Sequence, residues 1–238
     1  MVREMKGKEN MSVKPDMKAL LEAGAHFGHK TSRWHPKMAP YIHSKRQDAH
    51  IINLETTVEG LDKAIAEVEK VVKSGKKVLF VGTKKQVKEA VKTAAESVDM
   101  PYVTVRWVGG TLTNVETVNR QIKKVKDLER RMKNGELEAR YSKLEVQRFQ
   151  EEIDTLNERY GGIKDMNEQP AAIIVVDVPE DKNAIREAKT LNIPVIALCD
   201  TNVDPSEIDF VVPMNDDSVK ATKLVLDYFT EAIKEARK

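Results

Sequence analysis

Residues 26–46, HFGHKTSRWHPKMAPYIHSKR, combine cations with aromatic rings and contain no acidic residue. Cations can contact phosphates and flat rings can stack on unpaired bases, so this composition is typical of an RNA-binding segment. Gly28, Pro36 and Pro40 argue against a regular helix here. The alternative is a surface loop whose aromatic rings anchor it to the core of its own chain. The residues predicted to bind RNA are Lys30, Arg33, Trp34, Lys37, Lys45 and Arg46.

A second basic stretch lies at 120–133, where seven Lys and Arg side chains are accompanied only by Asp127 and Glu129. The following stretch, 145–159, is mainly acidic, so the two could form charge pairs with each other. Surface pairs contribute only about 0–1 kcal/mol each, so pairing does not exclude contact with phosphates. The residues predicted to bind RNA in this stretch are Arg120, Lys123, Lys124, Arg130 and Arg131.

Two loops lie where a phosphate-binding loop would be found, between a predicted strand and a predicted helix. They are GTKKQ (82–86), with Lys84 and Lys85, and RWVGGTLTN (106–114), with Arg106. Backbone phosphate could bind at the start of either helix. Neither loop has the Walker or the dinucleotide-binding pattern. Tight turns with solvated lysines are an equal alternative.

Four further residues have the types found in metal sites. His29 lies in the basic segment, Asp200 ends an apolar run, and Asp216 and Asp217 follow the next run. The carboxyl ends of parallel strands converge, so these side chains could hold zinc, or magnesium with added waters. Lys or Arg of this chain, or solvent, could instead neutralise the carboxylates, and some of the acids could be helix caps. No cofactor is otherwise required.

The sequence contains no recognised catalytic pattern. GxSxG, HExxH and CxxC are all absent, and Cys199 is the single cysteine. A non-enzymatic protein is therefore predicted. The alternative is an enzyme or sensor that binds a nucleotide or sugar phosphate at the ends of the strands, as an α/β fold permits.

The elements that position these residues alternate between strands and helices. Three continuous apolar runs, 78–82, 171–177 and 194–200, predict buried strands, and 50–54, 102–106 and 209–213 are weaker candidates. Apolar residues spaced by three or four predict helices around 58–72, 87–94, 184–191 and 219–233. This alternation predicts a parallel sheet with helices on both faces.

One segment interrupts the alternation. Val115, Val118, Ile122, Val125 and Met132 form a heptad-like seam, Asn134-Gly135 suggests a turn, and a second apolar stripe follows. We therefore predict an inserted antiparallel coiled-coil hairpin at 113–160. The α/β body then comprises 16–112 and 161–238, and 1–15 form a disordered N-terminal extension.

Charge is distributed unevenly along the chain. Residues 161–238 contain nine Lys/Arg and fifteen Asp/Glu, a balance of −6, so with a net charge of +2 residues 1–160 carry +8. Such asymmetry favours oriented contact with a polyanion. No apolar run is long enough to span a membrane, so a soluble cytoplasmic protein without a membrane partner is expected.

Seven ordered motifs resemble those of the bacterial family of small ribosomal subunit protein two, from about Met17 to the C-terminus. They are LLEAGAHFGHKTSRWHPKMAPYI, HIINL, LFVGTKKQ, RWVGGTLTN, GGIKDM, PVIALCDTNVDP and NDD. The resemblance implies a flavodoxin-like three-layer body with a coiled-coil hairpin. It also implies a structural protein that binds small-subunit ribosomal RNA, not DNA, and supports docking of other ribosomal proteins, including the large protein number one.

Overall fold

The computed structural model describes residues 14–166 and 168–238. The predicted extension, 1–15, therefore lies outside the described residues except for Lys14 and Pro15. The strands are β1 (Phe27–Lys30), β2 (Ile42–Arg46), β3 (Ala49–Ile52), β4 (Val78–Val81), β5 (Tyr102–Val103), β6 (Ala172–Val175), β7 (Val195–Cys199) and β8 (Phe210–Pro213). The helices are α1 (Met17–Glu22), α2 (Leu54–Lys73), α3 (Lys88–Ser97), α4 (Val115–Lys133), α5 (Glu136–Arg140), α6 (Lys143–Tyr160), α7 (Lys182–Thr190) and α8 (Val219–Ala236).

Five parallel strands form the central sheet in the order β5-β4-β6-β7-β8. Numbered along the chain within this sheet, the order is 2-1-3-4-5, which is the flavodoxin-like order. The strands β4, β6 and β7 are fully buried. Strands covered on both faces need apolar side chains at every position, which explains their continuous apolar runs. The predicted three-layer α/β fold is confirmed.

Side chains alternate between the two faces of the sheet, as the strand period of two requires. Val78 and Phe80 belong to a core shared with α2, α3 and α8. Leu79 and Val81 belong to a second core shared with α7 and with residues of α4 and α6. The sheet is thus the middle layer, and the loops that follow its strands carry Lys84, Lys85, Arg106 and the acids predicted to bind a metal.

Helix α2 lies especially close to the edge strand β8. A Cβ atom added at Gly60 would overlap the carbonyl oxygen of Val211. Only glycine permits this approach of helix to strand. The hydroxyl of Thr57, one turn earlier, donates a hydrogen bond of 2.5 Å to the carbonyl of Pro213.

The basic N-terminal segment is not wholly irregular. It supplies β1 and β2, which flank β3 in a separate antiparallel sheet of three strands. The predicted strand at 50–54 is therefore real but belongs to this small sheet. Arg46 pairs with Ala49, and both residues of the intervening turn, Gln47 and Asp48, have positive φ. Two-residue hairpins of this kind usually contain glycine, so the turn carried no sequence signal.

The inserted segment contains two helices that contact each other, α4 and α6. The predicted turn at Asn134-Gly135 ends α4, but the connection also contains the short helix α5. Lys124 contacts Glu152, and Asn157 donates a hydrogen bond to Glu129. The start of α4 and the end of α6 both contribute to the second core, through Val118 and Tyr160. The antiparallel coiled coil and its boundaries stay predictions.

Candidate functional site

The small sheet places two cations of the basic segment in one row. Lys30 of β1 and Arg46 of β2 both pair with Ala49 of β3. Directly opposed residues on neighbouring strands project from the same face, and the strands are about 4.8 Å apart. The two cations therefore flank a small alanine on one face of the small sheet. Arg33 lines one surface depression together with Lys30 and Ala49. We call the surface formed by Lys30, Arg33 and Arg46 the basic face.

The cations of this segment differ in their acidic partners. Within residues 14–166 and 168–238, Lys30, Arg33 and Arg46 make no ion pair. Lys37 is held by Asp204, with Nζ 2.9 Å from Oδ2, and by the hydroxyl of Ser206. Lys45 lies 3.7 Å from Asp48. Lys37 is thus engaged within the chain, whereas the basic face is free to bind phosphates.

The position of Trp34 is consistent both with stacking on an RNA base and with anchoring the segment to its own chain. Its side chain is 38% exposed, and its ring centroid lies 5.0 Å from that of His50 in β3. One part of the ring is therefore packed against the small sheet, while another part is open to solvent. A base could stack only on the open part.

A cluster of charges lies at the carboxyl edge of the central sheet. The ammonium group of Lys84, which follows β4, lies 3.0 Å from Asp177, 3.0 Å from Asp216 and 2.8 Å from Asp217. Burial alone would lower the pKa of Lys84, but hydrogen bonds to the three carboxylates outweigh it and raise the pKa. Lys84 points into this cluster, so its placement gives no support to the predicted RNA contact. Its neighbour Lys85 is exposed.

His29 joins the cluster from the small sheet. Its Nδ1 atom lies 3.0 Å from Asp200 Oδ2, and its Nε2 atom lies 3.5 Å from Asp217 Oδ2. The backbone N–H of His29 also donates to Asp200 and to Thr201. Contact with the buried Asp200 is the main reason that the pKa of His29 is raised. The structure therefore brings together all four residues predicted to bind a metal.

A metal ion does not fit this arrangement. The position between Asp177, Asp216 and Asp217 is taken by the ammonium group of Lys84. Among the residues that the structure describes, no group of three or more His, Cys, Asp or Glu side chains is placed to hold a metal ion. Lys84 supplies the neutralising charge, which is the alternative considered from the sequence. The metal stays a prediction without support from the geometry.

The loop RWVGGTLTN is occupied by a carboxylate of the chain itself. Glu187 of α7 accepts hydrogen bonds from Trp107 Nε1 (2.9 Å), Gly110 N (2.8 Å) and Leu112 N (3.0 Å). The backbone N–H and hydroxyl of Thr113 donate two more. Burial would raise the pKa of Glu187, but these bonds outweigh it and lower the pKa. The loop surrounds a carboxylate of its own chain, and its predicted contact with phosphate stays a prediction. Arg106 beside it is exposed.

Comparison with known protein families identifies the family to which this chain belongs. A family model described as ribosomal protein S2 matches residues 20–236, nearly the whole chain. The chain belongs to the ribosomal protein S2 family. The S2 family consists of structural proteins of the small ribosomal subunit and not of enzymes. The alternative of a nucleotide-binding enzyme is thereby overturned. No helix in the described part of the chain is long and apolar enough to cross a membrane.

In this S2 family member the basic arm, α4, is only partly neutralised by its own chain. Lys124 contacts Glu152, and Arg130 contacts Asp127 one turn earlier. Arg131 is 4.0 Å from Asp127 and from Glu136, and Arg120 donates to the hydroxyl of Thr117. Lys123 is exposed and has no ion pair among the described residues. The interhelical pairing predicted as an alternative therefore accounts for Lys124 but not for the whole arm.

Three buried or half-buried acids of the S2 chain were not predicted from the sequence: Asp177, Asp181 and Glu187. Asp177 follows β6 just as Asp200 follows β7, so the rule that identified Asp200 would also have found Asp177. Asp181 is fully buried and accepts hydrogen bonds from the backbone and hydroxyl of Thr83. Glu187 had no sequence signal, because an exposed-looking acid in a helix gives no indication of a loop 75 residues earlier in the chain.

The raised pKa values of two buried acids predict that the free energy of unfolding falls as the pH rises. Burial, followed by the charge of Asp177, raises the pKa of Asp216 to about 7, and burial raises the pKa of Asp181 to about 6. The folded chain then binds more protons than the unfolded chain between about pH 4 and 7. Stability from these groups is complete below that window and is lost as the pH rises through it. The raised pKa of His29 acts in the same direction.

We therefore expect the free energy of unfolding, measured by urea titration, to fall between pH 5 and 8 by an amount on the order of a few kcal/mol. Asp216→Asn should remove a large part of this fall. Asp227→Asn, at an exposed position of α8, is the control and should keep it. A wild-type midpoint that is constant or rises over this range would contradict the protonation of the buried acids.

Proposed function

We propose that this S2 family member binds small-subunit ribosomal RNA through its basic face and through α4. The observation that carries the proposal is the pairing of Lys30 and Arg46 with the same residue, Ala49, without any acidic partner among the described residues. Membership of the S2 family supports ribosomal RNA as the polyanion. The proposed location is the cytoplasm, in the ribosome.

The residues proposed to contact RNA now fall into two groups. Those whose cations are exposed and free of ion pairs among the described residues are the stronger candidates: Lys30, Arg33, Arg46, Lys85, Arg106, Arg120 and Lys123. Those engaged by acids of the chain would have to exchange partners on binding: Lys37, Lys45, Lys124, Arg130 and Arg131. Backbone contacts of this kind position an RNA by its shape and carry little sequence information.

Docking of neighbouring ribosomal proteins, the large protein number one among them, is the second part of the proposal. Exposed apolar side chains surround the turn at Gly24: Leu21 is 51% exposed and Phe27 is 53% exposed. Ser218 donates a hydrogen bond to the carbonyl of Ala23, which brings the exposed Val219 to the same turn. An exposed apolar patch of this kind supports a protein partner.

The RNA proposal predicts a change in the salt dependence of binding. Lys30→Gln, Arg33→Gln and Arg46→Gln together remove three cations of the basic face. Each lost phosphate contact should reduce the magnitude of the slope of log K against log salt by about 0.7–0.9, so a total reduction of about 2–3 is expected for three contacts. The measurement is a titration of small-subunit ribosomal RNA at several salt concentrations.

The matched control removes three exposed lysines of α8, Lys220, Lys223 and Lys234, which make no ion pair within the described ranges. It makes the same change in net charge on another surface. Equal slopes for the two triple variants would show that only net charge matters, and the basic face would lose its proposed role.

A further inference from the structure

A cavity of about 520 Å³ lies at the carboxyl edge of the central sheet, and none of its lining residues belongs to the Lys84 cluster. It is bounded by α7 and by the loops that follow β6 and β7, and His35 and Lys37 complete its wall. Parallel α/β sheets bind ligands outside the carboxyl ends of their strands. The cavity is therefore placed where this fold can accept a ligand.

The floor of the cavity is apolar. Val178, Ile185, Val203 and Ile208 line it, and each is at least nine-tenths buried. These side chains are held by the second core of the protein, so the floor is preformed. A flat base or a sugar could be placed against such a surface without the cost of opening it.

Two cations of α7 stand at the rim. Lys182 and Arg186 are four residues apart and therefore lie on the same face of the helix. Both line the cavity, and neither makes an ion pair in the described part of the chain. An arginine fork can bind two oxygens of a phosphate, and a nearby ammonium adds a point charge.

The cavity also offers groups that can read a base. The Oδ1 atom of Asn202 is buried and has no hydrogen-bond partner among the described residues. An unsatisfied buried acceptor costs free energy unless a donor reaches it. The Asn202 residue lines the cavity, and a turn of its side chain toward the cavity would present this oxygen to a ring N–H or an exocyclic amino group of a base. The Nδ1 atom of His35 accepts a hydrogen bond from Lys37 N, which fixes this ring in the wall.

The two acids that line the cavity, Asp204 and Glu207, differ in whether their charge is compensated by a cation. Asp204 accepts hydrogen bonds from Lys37 Nζ and from Ser206 N, so its charge is compensated. Glu207 makes no ion pair within the described ranges and would repel an incoming anion. Lys182 and Arg186 outnumber this single acid without an ion pair, so the cavity keeps a net attraction for one phosphate.

We propose that this cavity binds one unstacked nucleotide of an RNA strand, with its phosphate on Lys182 and Arg186 and its base against the apolar floor near Asn202. The proposal rests on the proposed function, because the RNA that the basic face binds would supply the strand. It adds a second contact, which reads a single nucleotide.

The test uses the full chain and two kinds of probe, the four ribonucleoside 5′-monophosphates and single-stranded RNA hexamers. Affinities are measured by calorimetry, and the site is mapped by NMR shifts of α7. Arg186→Gln should weaken binding of both probes about tenfold. Glu207→Gln should tighten binding severalfold, because it removes repulsion. Asn202→Ala should reduce the differences in affinity among the monophosphates. Lys234→Gln, on α8, should change nothing.

The results separate this proposal from the proposed function. If Arg186→Gln and Glu207→Gln leave hexamer binding unchanged while the triple variant of the basic face weakens it, the cavity is not a nucleotide site and the proposed function stands. If neither set of variants affects RNA, both proposals fail. Binding of monophosphates without binding of hexamers would point to a free small molecule and overturn the proposal. Weaker binding by Arg186→Gln and tighter binding by Glu207→Gln, both in a folded protein, support the proposal. Damage to the structure would weaken binding in both variants.

Discussion

Lys84→Met is expected to destabilise the folded protein by about 3–5 kcal/mol, because it leaves buried carboxylates without their cation. The Lys84 side chain is 16% exposed, and those of Asp177 and Asp216 are 5% and 3% exposed. Water therefore cannot readily take the place of the ammonium group. Methionine replaces the aliphatic part of the lysine side chain and lacks the ammonium group, so the loss measures charge more than packing.

The loss should depend on pH. Without Lys84 the carboxylates can be relieved only by protonation, which raises the pKa of Asp216 further above its ordinary range. Lys84→Met should therefore lose more stability at pH 8 than at pH 5. Urea midpoints at the two pH values measure this. Adding Asp216→Asn should restore part of the stability at pH 8, because it removes one of the uncompensated charges.

The control for this experiment is the next residue. Lys85 is exposed and has no ion pair among the described residues, so Lys85→Met should change stability by no more than about 0.5 kcal/mol. Equal effects of the two substitutions, or a Lys84→Met variant with the same loss at both pH values, would mean that the cluster does not depend on a buried lysine.

The buried strands of the central sheet were predictable because the effect of burial is visible in the residues of each strand itself. Strands covered on both faces require apolar residues at every position, so β4, β6 and β7 are visible as continuous runs. β5 is shorter than predicted, with only Tyr102 and Val103 in the ladder. It is an edge strand, and Val105 beyond it is 36% exposed. The apolar run of an edge strand therefore does not show how many of its residues pair with the neighbouring strand.

The charge cluster was only half predictable for a different reason. The positions of Asp200, Asp216 and Asp217 follow from the ends of strands, which the sequence reveals. The identity of their cation depends on which loop of the sheet reaches them, and Lys84 lies 132 residues from Asp216. Both Lys84 and a metal ion satisfy the same requirement for positive charge. Only the three-dimensional arrangement distinguishes them.

Glu187→Ala is expected to produce the second large effect, a loss of about 2–4 kcal/mol, since five donors lose a charged acceptor at once. The loop 106–114 leads directly into α4, so its release should also loosen the basic arm. Glu187→Gln should lose nearly as much, because the amide nitrogen would face backbone N–H groups that need an acceptor. Glu180→Gln, an exposed acid without an ion pair in the described ranges, is the control.

Trp107 reports directly on this loop, because its Nε1 atom donates to Glu187 and its side chain is only 7% exposed. In a Trp34→Phe background, the emission of Trp107 should shift to longer wavelength in Glu187→Ala. The lowered pKa of Glu187 also predicts how the stability of the protein changes at acidic pH. Its contribution is present above the ordinary carboxyl pKa and is lost as the pH falls through the folded pKa, so wild type and Glu187→Ala should converge in stability at low pH.

An added anion provides the most specific test of the clamp. The backbone N–H groups of Gly110, Leu112 and Thr113 converge on one carboxylate, and Gly110 has φ +89°, as in other loops that surround an anion. Glu187→Ala should leave these donors in place without their acceptor. Phosphate should then bind and stabilise Glu187→Ala more than wild type, with a midpoint that rises with phosphate concentration. Sodium chloride at equal ionic strength separates this binding from screening. If phosphate stabilises both proteins equally, the loop is not an anion site, and the hydrogen bonds to Glu187 only fill a gap between α7 and the start of α4.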